Sequence, residues 1–190
     1  MQVIQDPRRI PQSDLPLFVF SDSATDLVSF LITWKTKGNW NHVMVAGTSG
    51  KFAVQSIGYT EQHMDVYLKK GSRLAFYSLV NATPAVALAV QNYVSTRLAK
   101  PWWTKMYDWI GIFGQAIGFP KIHTQGLEYC SVDVTNCLKS ITQLLPAYDA
   151  GCIVMIPDEL NPQQLHDYMV LNPTVFKNYG EYESDEGITV

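Results

Sequence analysis

The chain has little charge, few cysteines and no long apolar run, and each shortage excludes a class of protein. Charged residues make up 16% of its 190 residues, against about a quarter in ordinary domains, and the formal net charge is −3. This slight acidic excess argues against nucleic-acid binding as the main role. Apolar stretches are interrupted too soon to cross a bilayer, so no membrane span is expected.

Cysteine chemistry and metal-binding patterns are equally sparse. Cys130, Cys137 and Cys152 are too few for a disulfide framework, and their odd number leaves at least one free thiol. The first residues, MQVIQDPRRIPQSD, are too polar and rich in proline for a signal peptide. A soluble, cytoplasmic protein is therefore expected. No CxxC, HExxH or Asp-rich loop occurs, so neither a metal nor a cofactor is predicted.

The remaining composition predicts one folded domain with short extensions. Hydrophobic residues reach 47% and aromatic residues 12%, which is enough for a buried core. Two prolines in residues 1–14 indicate an extended arm. We therefore expect a domain over residues 15–176, with an acidic, mobile tail at residues 177–190.

Hydrophobic periodicity and turn residues predict an α+β fold with antiparallel strands. Strands are predicted at residues 17–20, 40–47, 51–57, 66–68, 73–79 and 152–156. Helices are predicted at residues 27–34, 83–98, 107–117 and 130–145, with a helical turn at 157–160. The predicted order is one strand, one helix, several antiparallel strands, further helices and then one strand, which is an α+β pattern and not a series of alternating βαβ units.

Cys130 stands where a polar segment becomes an amphipathic helix. A helix N-terminus favours a thiolate, and the free backbone N–H groups of Cys130 and Ser131 point toward where an oxyanion would form. The alternative is that Cys130 is a small core residue, one turn before Val134 on the apolar stripe. Cys137 and Cys152 lie within apolar segments and are interpreted as core residues.

A nucleophilic cysteine needs a base, and His42 is the first candidate. It lies within a predicted strand, which would hold the imidazole rigidly. The alternative is a strand histidine paired with a neighbouring polar group. His123, in the segment before Cys130, is the rival base. His63 and His166 have polar neighbours in sequence and are interpreted as surface residues.

Gln55 is the candidate for the residue that orients the imidazole. It lies on the strand expected to pair with the His42 strand across the turn at residues 47–50. Counting outward from that turn brings residues 42 and 55 close to opposite positions. A neutral amide can orient an imidazole but adds no charge to stabilise imidazolium. An outward-facing polar strand residue is the alternative.

The ordered motifs Trp40-Asn41-His42-Val43, Val54-Gln55-Ser56 and Tyr129-Cys130-Ser131 resemble those of circularly permuted NlpC-type papain-like cysteine hydrolases, relatives of the lecithin:retinol acyltransferase-like proteins. The resemblance extends over residues 15–165. It implies an antiparallel sheet or partial barrel packed against the cysteine-bearing helix. By the same resemblance Cys130 is the nucleophile, His42 the base and Gln55 the orienting group, where glutamate is usual. Ser131 and Tyr129 would line the oxyanion and substrate site.

The resemblance also implies an activity and its alternatives. Hydrolysis or transfer of an amide or ester bond is expected, with a peptidoglycan peptide as the first substrate class for an endopeptidase or amidase. A lipid amide or ester is the second substrate class. The other alternative is a non-catalytic structural or binding module, such as a phage virion or tail component assembled into a larger particle. A virion location would accompany that role.

Overall fold

The structure is a computed structural model that describes residues 3–4, 6–22, 38–55, 59–68, 73–101 and 130–183. The predicted helices at 27–34 and 107–117 lie outside the described residues, as do His123 and Tyr129. For Gln55 only the backbone is described.

A six-stranded antiparallel sheet forms the centre of the described fold. Its strands are β1 (Leu17–Ser21), β2 (His42–Ala46), β3 (Phe52–Gln55), β4 (Tyr59–Gln62), β5 (Arg73–Leu79) and β6 (Phe176–Glu183). Their order across the sheet is β4-β3-β2-β1-β5-β6. The α+β class and the antiparallel sheet predicted from the sequence are thereby confirmed.

Helices cover one face of this sheet. The helices in the described part of the chain are α1 (Pro84–Ala99), α2 (Cys130–Ser140), α3 (Ala147–Val154) and α4 (Pro162–Leu171). Helix α1 begins as predicted, because the Thr83 side chain accepts a hydrogen bond from the Val86 backbone and Pro84 occupies the first turn. No helix in the described ranges combines the length and apolarity that crossing a membrane requires.

The strands alternate between two apolar clusters, one on each face of the sheet. Phe18, Phe20, Val43 and Val45 belong to the cluster that contains residues of all four helices. The intervening residues face a second cluster, which includes Leu17, Val19, Met44, Phe52 and Phe76 and is joined by Ile4, Ile10 and Leu15 of the N-terminal segment. Burial on both faces explains why residues 17–20 form an unbroken apolar run.

Two predicted strands are wrong. Residues 66–68 are not a strand; a 3₁₀ turn covers Met64–Val66, and the strand of this region is β4. Residues 152–156 were expected as a strand, but helix α3 occupies Ala147–Val154. A short apolar run such as CIVMI fits a buried strand and a buried helix equally, because periodicity cannot separate the two.

Two predicted helical segments also differ from the structure. Helix α2 ends at Ser140, and a separate 3₁₀ turn covers Thr142–Leu144. The helical turn expected at residues 157–160 is replaced by helix α4, which begins at Pro162.

The two ends of the described part of the chain meet at the edge of the sheet, and this changes the boundary of the expected tail, of which residues 184–190 lie outside the described residues. Residues 177–183 belong to edge strand β6 and pair with β5. The N-terminal segment lies against β6, where the Ile4 backbone N–H donates to the Glu181 carbonyl at 2.8 Å. The Lys177 ammonium lies 2.8 Å from the Asp14 carboxylate. The folded unit therefore extends past residue 176, and part of the expected arm packs on it.

Candidate functional site

Helix α2 presents Cys130 as its first residue. Val134, Cys137 and Leu138 follow at helical spacing, and this stripe packs in the cluster between helices and sheet. Cys130 itself is 1% exposed. Its position is compatible with both interpretations made from the sequence, because Cys130 is the first residue of the described helix while the surrounding cluster is apolar.

The other two cysteines differ from Cys130 in their surroundings. Cys137 is completely buried, and burial together with the charge of Asp133 raises the pKa of its thiol well above the usual value. Cys152 lies on α3 and is partly exposed. Burial of Cys137 agrees with its interpretation as a core residue.

A short segment before α4 connects the start of α2 with the approach to β2. The Ser131 hydroxyl donates to the Leu160 carbonyl at 2.5 Å. Three residues later, the Gln163 side-chain oxygen accepts hydrogen bonds from the backbone N–H groups of Asn39 at 2.7 Å and Trp40 at 3.1 Å. Helix α2 also packs against β2. These contacts bring the first turn of α2 and the start of β2 to the same end of the sheet.

The alternation of β2 predicts the His42 side chain on the face of the sheet opposite the helices. Val43 and Val45 belong to the helix-side cluster, and Met44 and Ala46 to the other. Because successive strand residues alternate between faces, His42 shares the face of Met44 and Ala46. His42 is partly exposed and stands at the very end of the strand. To serve Cys130 as a base, its imidazole has to reach around the end of β2.

The register between β2 and β3 offsets Gln55 from His42 by one residue. Val45 pairs with Ala53 and Ala46 with Phe52. Continuing this register brings position 55 opposite position 43. The count from the sequence, which brings residues 42 and 55 close to opposite positions, therefore differs from this backbone register by one residue.

A buried polar cluster includes Asp133, in the first turn of α2. The Arg97 Nε atom is 3.1 Å from Asp133 Oδ1, and the two side chains are only 7% and 3% exposed. The Tyr93 hydroxyl donates to the same carboxylate oxygen at 3.0 Å. The Arg97 guanidinium also lies over the Tyr59 ring, 5.3 Å from its centroid. Burial, reinforced by the charge of Asp133, raises the pKa of Tyr59, so its hydroxyl stays neutral.

His166 is enclosed, which makes its interpretation as a surface residue wrong. Its ring lies 5.2 Å from those of Phe20 and Trp40, measured between centroids, and its side chain is 13% exposed. The Nε2 atom is 3.0 Å from the Tyr77 hydroxyl. Burial lowers the pKa of His166, against the opposing effect of Asp167. A signal was present: His166 adjoins Leu165 and precedes Met169 by three residues on the inner side of α4.

In the described ranges, no group of three or more histidine, cysteine, aspartate or glutamate side chains could hold a metal ion. Comparisons with known proteins add no relative. No family model, no curated protein and no solved structure matches the chain.

Proposed function

We propose that the chain is a cysteine hydrolase or acyltransferase with a permuted papain-like fold, acting on an amide or ester bond, with a peptidoglycan peptide as its first substrate class. One observation carries the proposal: the segment from Leu160 to Gln163 holds the start of α2, with Cys130, at the sheet end where β2 begins at His42. A thiol at a helix start and an imidazole at the same sheet end are the two groups that such chemistry needs.

The proposed reaction divides one difficult step into two. His42 takes the proton from the Cys130 thiol, and the thiolate attacks the carbonyl carbon of the substrate. The backbone N–H groups at the start of α2 stabilise the oxyanion, since the Ser131 hydroxyl is already bound to Leu160. His42 then returns the proton to the leaving amine or alcohol. Water, or another acceptor, attacks the acyl-cysteine and releases the second product.

A non-catalytic structural module is the second candidate function. Two observations favour it: Cys130 is 1% exposed, and the alternation of β2 directs His42 to the opposite face of the sheet. In that case the sheet and α2 serve assembly, and Cys130 packs as a small apolar residue.

The deciding experiment measures turnover of peptidoglycan-derived peptides and of acyl esters by the purified chain. We expect Cys130→Ser to abolish turnover and His42→Ala to reduce kcat by about 10²–10⁴-fold, because a general base contributes on that scale. Cys152→Ser, a partly exposed cysteine on α3, is the matched control and is expected to retain activity. Turnover that survives Cys130→Ser would exclude this nucleophile.

Measuring the reactivity of the thiols distinguishes the two candidate functions without requiring the natural substrate. An activated Cys130 is expected to react with iodoacetamide near neutral pH faster than Cys137, and to lose this preference in His42→Ala. Mass spectrometry of the alkylated peptides assigns the reaction to each cysteine. Equally slow alkylation of Cys130 and Cys137 would favour the structural module.

A further inference from the structure

Arg97 and Asp133 form a buried ion pair at a position where packing of the core does not require charged side chains. Both side chains are almost completely buried, and their atoms approach to 3.1 Å. Arg97 and Tyr93 are four residues apart on α1, so both reach Asp133 from one face of that helix. Removing two charges from water is costly unless they neutralise each other, and a pair of apolar side chains would fill the same space without that cost.

Asp133 is close enough to Cys130 along α2 for the charge of the ion pair to affect the thiol. The two residues are three positions apart at the start of α2. Side chains at that spacing are neighbours on a helix surface, with Cβ atoms about 5–6 Å apart. A carboxylate so close to a thiol, within an apolar cluster, opposes formation of the thiolate. The guanidinium of Arg97 supplies the opposite charge at the same point.

We propose that Arg97 is a positioning residue for Cys130, which neutralises Asp133 and so determines how readily the thiol ionises. The inference rests on the proposed role of Cys130 as a nucleophile. Tyr93 supports Arg97 by donating its hydroxyl hydrogen to Asp133. Tyr59 covers the guanidinium with its ring.

Other titratable groups lie on the elements that surround α2. They are His42 on β2, Tyr148, Asp149 and Cys152 on α3, and His166, Asp167 and Tyr168 on α4. On α2 itself, burial and the charge of Asp133 raise the pKa of the Cys137 thiol, so the NMR signal of Cys137 is assigned separately from that of Cys130. Each of these is common to all the variants compared below. A change in the titration of Cys130 among the variants therefore reports on the pair.

The test is an NMR titration of the full chain labelled with ¹³Cβ-cysteine, which follows ionisation of Cys130 without requiring access by a reagent. Asp133→Asn leaves the charge of Arg97 and is expected to lower the Cys130 midpoint by about one pH unit. Arg97→Gln leaves the carboxylate and is expected to raise it by about one unit. Arg97→Lys keeps the charge and is expected to preserve the midpoint.

A single buried charge without its partner is destabilising, so the single variants could unfold. Two further variants avoid such a charge. The double variant Arg97→Gln with Asp133→Asn removes both charges and is expected to restore the parent midpoint. Tyr93→Phe introduces no charge and is expected to raise the midpoint by less than Arg97→Gln does, because Asp133 loses a hydrogen-bond donor. Thermal unfolding monitored by circular dichroism establishes which variants are folded.

Opposite shifts in the two single variants are the signature that a purely structural pair would not produce. Unchanged midpoints in folded Asp133→Asn and Tyr93→Phe would overturn the inference. The proposed function fails by a different result, turnover that survives Cys130→Ser. The inference and the proposed function can therefore be contradicted independently of each other.

Discussion

The imidazole of His166 is held by three aromatic rings and one hydroxyl group. Phe20 and Tyr77 meet it edge-on, at interplanar angles of 89° and 87°, while Trp40 lies at 34°. The Tyr77 hydroxyl, which also accepts a hydrogen bond from the Asn178 side chain, lies within hydrogen-bond distance of Nε2. A neutral ring fits this environment better than a charged one, because burial disfavours the charged form.

This environment predicts a pH dependence of stability. Burial lowers the pKa of His166 in the folded chain below the usual 6.5, so the unfolded chain binds the proton more readily. The stabilisation of the folded chain by the neutral His166 ring is therefore complete above about pH 6.5. The free energy of unfolding decreases as the pH falls below that value. We expect His166→Gln to reduce this decrease between pH 7 and pH 5, measured by urea unfolding.

The matched control for His166 is His63, which is exposed. His63→Gln is expected to leave the pH dependence of urea unfolding unchanged. If His166→Gln and the parent lose stability equally between pH 7 and pH 5, the enclosed imidazole is not the group responsible.

Helix α4 begins with a capping box that also fixes a contact of the candidate site. The Asn161 side chain accepts a hydrogen bond from the Gln164 backbone at 2.9 Å, and the Gln164 side chain accepts one from the Asn161 backbone at 3.0 Å. Leu160, immediately before the cap, provides the carbonyl that binds Ser131. The geometry of the cap is therefore transmitted to the residue next to Cys130.

Replacing the cap is expected to affect both stability and the site. Asn161→Ala should lower the free energy of unfolding by about 1 kcal/mol, because one backbone N–H of the first turn loses its partner. It should also reduce any turnover that depends on Cys130. Asn161→Asp keeps an acceptor at the cap and is expected to retain both. Chemical denaturation measures stability, and loss of stability in Asn161→Asp equal to that in Asn161→Ala would contradict the capping explanation.

Local signals explain which elements could be predicted from the sequence. Helix α1 has a Thr83 cap followed by proline, and β1, β2 and β5 have apolar strand composition, so all four were predicted close to their observed positions. Strand β4, with the sequence YTEQ, has too little apolar character to be recognised. Strand β6 is charged and lies at the edge of the sheet, where polar residues are tolerated, so its sequence alone predicts a tail.

The candidate site was predictable only in part, because its contacts join distant parts of the chain. The helix start at Cys130 and the strand at His42 follow from local patterns. The pairing of Arg97 with Asp133 crosses two helices and leaves no periodic signal in the sequence. The face on which His42 lies depends on the alternation of β2 relative to the helix layer, and that is decided by packing.

The sheet is completed by the two ends of the described chain. Strand β6 pairs with β5 from Leu79 with Phe176 to Arg73 with Glu183, with a shift of register between Phe76 and Tyr77. The N-terminal segment lies against β6, where the Lys177 ammonium holds the pKa of Asp14 below its usual value. Phe176 is buried in the helix-side cluster. The last strand in sequence thus covers a sheet edge that β5 would otherwise expose.

Truncation within this region distinguishes an edge strand from a dispensable tail. A chain ending after Val175 lacks β6 and exposes the backbone hydrogen-bonding groups of β5. We therefore expect this truncated chain to lose its cooperative thermal transition or to aggregate. A chain ending after Glu183 keeps every residue of β6 and is expected to unfold cooperatively. Circular dichroism and size-exclusion chromatography compare the two. Cooperative unfolding of the shorter chain at the parent temperature would mean that the sheet is stable with β5 at its edge, and that residues from 176 onward are not needed for folding.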